Sequence, residues 1–261
     1  MAEDAPTTIR HETAGGVATL TLNRPESLNA LNAEMRRELL TALKSIARDE
    51  AVRVVMVTGA GRGFCSGADL RGGSAERDFR TVLEQEYNPL IRALRELPKP
   101  VIAAVNGVAA GAGVSLALAC DLVYAAEEAA FIQAFVRIGL VPDSGSTRTL
   151  VRTVGRHRAA QLIFSGEPLS AAEAHAAGLV NVMLPGTEMM DAARAAAARL
   201  AMAPTRAIGY AKRLINAAED ASLAESLALE AQLQELAGRT EDHAEGVAAF
   251  GEKREPRFVG R

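Results

Sequence analysis

Two segments of the chain share one layout, in which a continuous apolar run leads into a glycine-rich turn and then into a helix-like stretch. The first is VVMVTGAGRGFCSGADL, over 54–70, and the second is VIAAVNGVAAGAGVSLAL, over 101–118. Apolar runs without polar alternation are typical of strands covered on both faces, as in parallel sheets with helices packed on them. The repeated layout therefore predicts an α/β core, because parallel strands need crossover connections that are usually helices.

Other periodicities divide the chain into a mixed N-terminal part and a helical C-terminal part. Alternating or apolar segments predict strands over 7–12, 17–23, 52–59, 101–105, 121–126, 129–135 and 178–185. Helical spacing predicts helices over 33–49 (capped by Asn32), 76–97, from the second glycine-rich loop to about 119, 187–202, 205–219, 222–238 and 241–253. Since the β–α alternation gives way to helices near residue 190, we expect two parts, 1–190 and 191–261.

Composition and charge narrow the classes of partner. The 261 residues carry a net charge of −3 and contain no tryptophan, which disfavours both a basic nucleic-acid-binding face and a base-stacking platform. Two cysteines are too few for a disulfide framework, and the histidines lack the spacing of metal ligands. No apolar run has the length of a membrane span, and the polar, acidic N-terminus is unlike a signal peptide. We therefore expect a cytoplasmic protein with no metal, nucleic-acid or membrane partner.

The paired glycine-rich loops suggest a way to hold an oxygen atom. Glycines allow the backbone to approach a ligand closely, and the first turn of the following helix has free N–H groups. One such loop is equally consistent with close packing of a helix on a strand. Two loops together favour a pair of backbone donors on one oxygen, an oxyanion hole that would stabilise an enolate formed next to a carbonyl.

These loops also carry a family resemblance. The segments GFCSGADL and NGVAAGAGVSLALACDL resemble the two signature segments of the enoyl-CoA hydratase/isomerase (crotonase) superfamily, and the likeness extends over nearly the whole chain. It implies a spiral of ββα units with a helical C-terminal trimerisation region, trimers or dimers of trimers, and an acyl-CoA thioester as substrate. It also implies that the N–H groups of Ala68 and Ala112 hold the thioester oxygen, with Gly67 and Gly111 bending the backbone.

Further positions follow from the same resemblance. We expect Ser66, Asp69 and Leu70 to belong to the substrate-binding loop, with Asp69 organising that loop. Lys253 matches a lysine that contacts a CoA phosphate from a neighbouring subunit, although a solvated lysine at a helix end explains it equally well. Because the thioester itself accepts the electron pair, no cofactor beyond the coenzyme A of the substrate is implied.

The sequence departs from the hydratase pattern at two positions. Hydratases of the superfamily use two glutamates to hold and activate water, and the matching positions are Ser115 and Phe135. A phenyl ring cannot transfer a proton, and addition of water needs positioned proton-transfer groups. We still expect both residues to line the substrate site.

Asp143, in the segment LVPDSGST, is the acid that remains at a position matched in the family. An acid here resembles the isomerase branch, which includes the dienoyl-CoA isomerases and the ring-1,2-epoxyphenylacetyl-CoA isomerases. The alternative is structural, because Pro-Asp-Ser-Gly is a good turn sequence and Asp, Ser144 or Ser146 could cap the next helix. We interpret Asp143 as a catalytic proton carrier in an acyl-CoA isomerase, which shifts a double bond or rearranges an epoxide. The rival functions are an enoyl-CoA hydratase and a non-catalytic acyl-CoA-binding scaffold.

Overall fold

The fold, in a computed structural model that describes residues 7–71 and 78–261, has two sheets surrounded by helices. The strands are β1 (Ile9–Ala14), β2 (Val17–Leu22), β3 (Val54–Gly59), β4 (Gly63–Cys65), β5 (Val101–Val105), β6 (Val108–Ala110), β7 (Leu122–Ala126), β8 (Ala130–Ile132), β9 (Pro168–Ser170) and β10 (Val182–Leu184). The helices are α1 (Ala33–Arg48), α2 (Phe79–Val82), α3 (Asn88–Glu96), α4 (Ala112–Leu118), α5 (Ser146–Ser165), α6 (Ala171–Ala176), α7 (Gly186–Ala201), α8 (Thr205–Ala218), α9 (Leu223–Gly238) and α10 (Glu241–Glu252).

The larger sheet contains the strands that the sequence predicts best. Its order is β1-β2-β3-β5-β7-β10, antiparallel between β1 and β2 and parallel elsewhere. Every residue of β3 and β5 is buried, as their continuous apolar sequences predict. Helix α7 packs against these central strands through Met189 and a face of alanines. The predicted strand positions in this sheet are confirmed to within a few residues.

A second, smaller sheet, in the order β4-β6-β8-β9, was not predicted from the sequence. Its strands have three residues each, and two of them lie inside the glycine-rich segments. Only β8, inside the expected strand 129–135, was predicted, because a three-residue strand is too short to show alternation and glycine is unfavourable in strands. The chain passes from β3 to β4, from β5 to β6 and from β7 to β8, each time followed by a helix. This alternation is a spiral of ββα units.

Two predicted elements differ from the structure. The helix expected over 76–97 is divided into α2, a π-helical turn over Leu83–Tyr87, and α3, and its first two residues lie outside the described part of the chain. The strand expected over 129–135 ends at Ile132, because Ala134–Ile138 form a 3₁₀ helix. Both differences arise where the backbone is locally irregular, which apolar periodicity cannot reveal.

The predicted cap of α1 is confirmed, and α6 and α9 also begin with side-chain caps. Asn32 accepts a hydrogen bond from Met35 N at 2.8 Å and begins α1. Ser170 with Glu173 and Ser222 with Glu225 form reciprocal capping boxes at the starts of α6 and α9.

A buried lysine and a half-buried arginine join the C-terminal part of the chain to the rest of the fold. Lys212 of α8 donates to Asp121 Oδ2 at 2.7 Å and to the carbonyl of Leu94 at 2.8 Å. Arg53 donates to the carbonyls of Ala203 and Phe258. The expected boundary near residue 190 lies within α7, which packs on the larger sheet, and the division into 1–190 and 191–261 stays a prediction.

A substitution at Gly113 tests how closely the second glycine-rich loop packs on Cys65. A Cβ at this position would lie 2.2 Å from the Cys65 carbonyl oxygen, a contact that requires the backbone to move. We expect Gly113→Ala to lower the free energy of unfolding by about 1–3 kcal/mol, as overpacking typically does.

The control is Gly251→Ala in α10, where an added Cβ meets no atom within 4 Å. It should be neutral or stabilise the protein by up to about 1 kcal/mol, since alanine is the better helix former. Urea unfolding of both variants measures the difference, and equal effects would contradict the close approach at Gly113.

Candidate active site

The two glycine-rich loops meet at Gly67 and Ala112. Gly67 has φ +97°, a left-handed conformation, and a Cβ on it would lie 2.8 Å from Ala110 O and 3.5 Å from Ala112 N. Gly111 also has a positive φ, +51°, and is the last residue before α4. Only glycine accepts these conformations without strain. The sequence thus provides glycine at the two points where the loops turn toward each other.

The backbone turns the N–H groups of Ala68 and Ala112 away from carbonyl acceptors in the described part of the chain. Leu31 N donates to Gly67 O at 2.8 Å and Asp69 N donates to Leu31 O at 3.2 Å, so Leu31 pairs in parallel with Ala68 between them. In an extended chain successive N–H groups point to opposite sides, and the Ala68 N–H therefore faces away from Leu31. Ala112 begins α4, where N–H groups lack intrahelical acceptors. Within residues 7–71 and 78–261, neither N–H donates a hydrogen bond.

Polar contacts fix the first loop on either side of Ala68. The Asp69 carboxylate lies 2.7 Å from Arg24 and accepts a hydrogen bond from Arg71 N, and these contacts lower its pKa although burial opposes them. Ser66 Oγ donates to Ser27 O at 2.9 Å. Asp69 and Ser66 therefore organise the loop, and Arg24 is engaged with Asp69. Leu70, by contrast, is 65 % exposed.

Asp143 is held by its backbone and does not cap α5. Its carbonyl oxygen accepts hydrogen bonds from Ser146 N at 3.1 Å and from Ser115 Oγ at 3.2 Å. Gly145 occupies the N-cap position of α5, and no side chain makes a capping hydrogen bond there. The carboxylate instead accepts from Ser144 Oγ at 2.8 Å. The capping alternative is therefore wrong for the Asp143 side chain.

The environment of Asp143 favours its protonated form. The side chain is half-buried, and burial raises the pKa of the carboxyl above its ordinary value of 3.8, whereas the Ser144 hydrogen bond opposes that shift. The positive φ of Ser144 and Gly145 forms the tight turn that presents the carboxylate. A carboxylate made more basic by burial is suited to accepting and returning a proton.

Ser115 and Phe135 occupy the interior next to these groups. Ser115 is 2 % exposed and links α4 to the Asp143 loop through its hydroxyl. The Phe135 ring is buried and lies 3.8 Å from the position of a Cβ on Gly111. Ser115 thus positions the acid-bearing loop, and Phe135 presents an apolar surface beside the second glycine-rich loop.

A buried arginine near the site was not predicted from the sequence. Arg36 of α1 is 8 % exposed and contacts Glu86 and Tyr87. The available signal was its helical spacing, since position 36 lies three residues before Leu39 and seven before Leu43, on the apolar face of α1. An arginine on such a face needs buried partners, which here come from a distant part of the chain.

Lys253 is exposed at the C-terminal end of α10, and its contact with a CoA phosphate stays a prediction. In the part of the chain that the structure describes, no group of three His, Cys, Asp or Glu side chains is placed to hold a metal ion. None of the helices described is long and apolar enough to cross a membrane.

Comparison with known proteins assigns the family. Residues 12–261 match the model of the enoyl-CoA hydratase/isomerase family. The chain is 48 % identical to a 1,2-epoxyphenylacetyl-CoA isomerase of Escherichia coli K12, covering 94 % of this chain and 96 % of the relative. It is 50 % identical to a "probable enoyl-CoA hydratase" of Rhodobacter capsulatus, covering 97 % and 98 %. A 2,3-dehydroadipyl-CoA hydratase of E. coli K12 is 40 % identical over 94 % of this chain and 96 % of that protein.

A solved structure of a related enzyme has the same fold as this chain. The crystal structure of an enoyl-CoA hydratase from Bacillus anthracis superposes with a TM-score of 0.92 at 35 % identity, covering 97 % of this chain and all of the other. The spiral of ββα units is thus the crotonase fold, as the sequence resemblance implied, and it defines a class of acyl-CoA enzymes. This chain belongs to the enoyl-CoA hydratase/isomerase family.

The raised pKa of Asp143 predicts a stability effect. Because the folded state disfavours the charged carboxylate, ionisation of Asp143 lowers stability as the pH rises from 3.8 through the folded-state pKa. We expect Asp143→Asn to raise the thermal midpoint at pH 7–8, with a gain that shrinks as the pH falls toward 4.

Thermal unfolding of both proteins between pH 4.5 and 8 measures this effect. Asp191→Asn, at an acid whose side chain is 81 % exposed, is the control and should change the midpoint little at any pH. A gain in the Asp143→Asn variant that grew toward low pH would contradict the direction of the pKa shift.

Proposed function

We propose that the protein is an acyl-CoA isomerase that shifts a double bond through a thioester enolate, with Asp143 as the proton carrier. The observation that carries the proposal is the state of Asp143: half-buried, raised in pKa, and free of any helix-capping role. Ser115 ties the loop of this acid to α4, the helix whose first N–H is that of Ala112. The proton carrier and the oxygen-binding donors therefore belong to one connected unit.

The two N–H groups would stabilise the charge that develops on the thioester oxygen. Ala68 N–H and Ala112 N–H come from loops in direct contact, and both lack an acceptor among the described residues. Removal of one such donor typically costs about 3 kcal/mol of transition-state stabilisation. With the oxygen held there, the thioester takes up the electron pair, so the proposed reaction uses no metal, flavin or nucleotide cofactor.

The proton steps balance within the substrate. For a 3-enoyl thioester, Asp143 removes a proton from C2 and the electron pair moves toward the thioester oxygen. Return of that proton at C4 re-forms the carbonyl and leaves the double bond between C2 and C3. Water is not consumed and Asp143 regains its charge. With an epoxide adjacent to the thioester, the same carboxylate would assist ring rearrangement.

The residues at the hydratase positions support isomerisation over hydration. Phe135 places a ring, not a carboxylate, beside Gly111, and the Ser115 hydroxyl is engaged with Asp143 O. Neither can activate water as a glutamate does. The likeness to a 1,2-epoxyphenylacetyl-CoA isomerase also supports the proposal, while relatives named as hydratases make hydration the competing activity to measure.

Replacing the proton carrier tests the mechanism. We expect Asp143→Asn to lower the rate of 3-enoyl-CoA isomerisation by about 10²–10⁴-fold, because the amide cannot accept the proton. Proton NMR in deuterium oxide would show loss of exchange at C2 and C4, while calorimetry shows that the acyl-CoA still binds.

Asp191→Asn, at an exposed acid of α7, is the matched control and should keep the wild-type rate. An Asp143→Asn variant with the full isomerase rate would refute the role of Asp143. Rapid hydration of crotonyl-CoA by the wild type, unaffected by Asp143→Asn, would instead identify a hydratase. Binding without proton exchange in the wild type would identify a non-catalytic acyl-CoA-binding protein.

The hydrogen bond from Ser144 predicts a shift in the pH profile. Ser144 Oγ stabilises the charged form of Asp143, and without it burial alone acts on the carboxyl pKa. We expect Ser144→Ala to move the acidic limb of kcat/KM for isomerisation to higher pH, since a base with a raised pKa is protonated at a higher pH. An unmoved limb in this variant would mean that Asp143 is not the titrating group.

A further inference from the structure

Arg36 joins the π-helical turn Leu83–Tyr87 to Leu31, the residue that pairs with Ala68 of the first glycine-rich loop. Its Nε and one terminal nitrogen donate to Glu86 Oε2 at 3.0 and 2.5 Å. The other terminal nitrogen donates to Leu31 O at 2.7 Å and to the Tyr87 hydroxyl oxygen at 3.1 Å. All three partners are therefore held by one guanidinium group.

The contact of Arg36 with Leu31 bears on the Ala68 amide, because Leu31 is paired with Ala68. The Leu31 carbonyl that accepts from Arg36 also accepts from Asp69 N, and Leu31 N donates to Gly67 O. Gly67 and Asp69 are the residues on either side of Ala68. The orientation of the Ala68 N–H thus follows that of Leu31, whose carbonyl is fixed by Arg36.

The contacts with Glu86 and Tyr87 involve a second segment of the chain, which precedes α3. Both residues lie in the π-helical turn Leu83–Tyr87, an irregularity that often marks functional positions. The Arg36 guanidinium also lies 4.4 Å from the centroid of the Tyr87 ring. Burial raises the pKa of Tyr87 to about 12, and Asp143 and Cys65 both add to that shift. Asn88, the residue after Tyr87, lines a cavity together with Ser115 and Ser144, so the end of the π-helical turn lies near the Asp143 loop.

A purely structural ion pair is the alternative explanation. Buried ion pairs contribute little net stability compared with apolar replacements of the same volume, so stability alone does not require an arginine here. A planar guanidinium can hold Leu31 O, Tyr87 Oη and Glu86 at once, and the single ammonium group of a lysine cannot reproduce that fork. The geometry is suited to aligning three partners.

We propose that Arg36 is a positioning residue that couples the π-helical turn Leu83–Tyr87 to the Ala68 amide of the candidate oxyanion hole. It acts through Leu31 O and does not itself contact the thioester. The inference rests on the proposed function in one respect, the use of the Ala68 N–H to hold the thioester oxygen.

A spectroscopic probe separates alignment from stability. The chromophore of 4-(dimethylamino)cinnamoyl-CoA absorbs at longer wavelength when hydrogen bonds polarise its thioester carbonyl. We expect a red shift on binding to the wild type, and less than half of it in Arg36→Lys. Tyr87→Phe, which keeps the ring but loses one contact of Arg36, should show an intermediate shift. This readout does not depend on whether the enzyme isomerises or hydrates.

The matched control is Arg37→Lys, the same substitution at the next residue of α1, whose side chain is exposed. It should keep the wild-type red shift. In turnover of a 3-enoyl-CoA, Arg36→Lys should lower kcat about tenfold with KM within about threefold, the size expected of a coupling that acts on the transition state.

The outcomes are distinct. A full red shift in both Arg36→Lys and Tyr87→Phe would overturn the proposal, even if their thermal midpoints fell, because the arginine would then serve stability alone. A red shift that is present in the wild type and reduced in Arg36→Lys supports it even if no 3-enoyl-CoA is isomerised. In that case the proposed reaction fails and the positioning role stands.

Discussion

The close approach of two backbones is the constraint on which the rest of the structure depends. Gly67 and Gly113 each lie where a Cβ would collide with a carbonyl oxygen of the opposite loop, that of Ala110 or of Cys65. The approach brings the strand that contains Ala68 against the first turn of α4. The pairing of β4 with β6 and the direction of the two candidate oxyanion-hole N–H groups follow from this contact. Side chains of any size at these two positions would separate the loops.

The Asp143 loop combines local backbone strain with partial burial of its acid. Its turn contains a serine with positive φ, its carboxylate is partly desolvated, and the helix after it begins without a side-chain cap. Each of these features is unfavourable by itself, and strain of this kind is often found at functional sites. The loop is stabilised by backbone contacts instead, from Ser146 N and the Ser115 hydroxyl. These backbone contacts position the acid, and its carboxylate accepts a hydrogen bond from Ser144 Oγ.

Much of the fold was predictable, for reasons visible in particular elements. The uniform burial of β3 and β5 required apolar residues at every position, and α1 and α9 carry strong caps, so sequence located them closely. The second sheet was not predictable, because three-residue strands such as Gly63–Cys65 have no periodicity and are stabilised only by partners distant in the chain. The π-helical turn Leu83–Tyr87 was missed for a related reason, since its apolar spacing resembles that of an ordinary helix.

By itself, the sequence determined the family, the crotonase fold and the positions where glycine permits the loops to meet, because these depend on residue types in a fixed order. The tertiary structure decided that the Asp143 carboxylate does not cap α5. Capping and proton transfer need the same residue type, and only the position of α5 shows that Gly145 takes the N-cap place. It also decided the partners of Ser115 and Arg36. Their hydrogen bonds join residues 28 and about 50 positions apart, and no local pattern encodes such pairings.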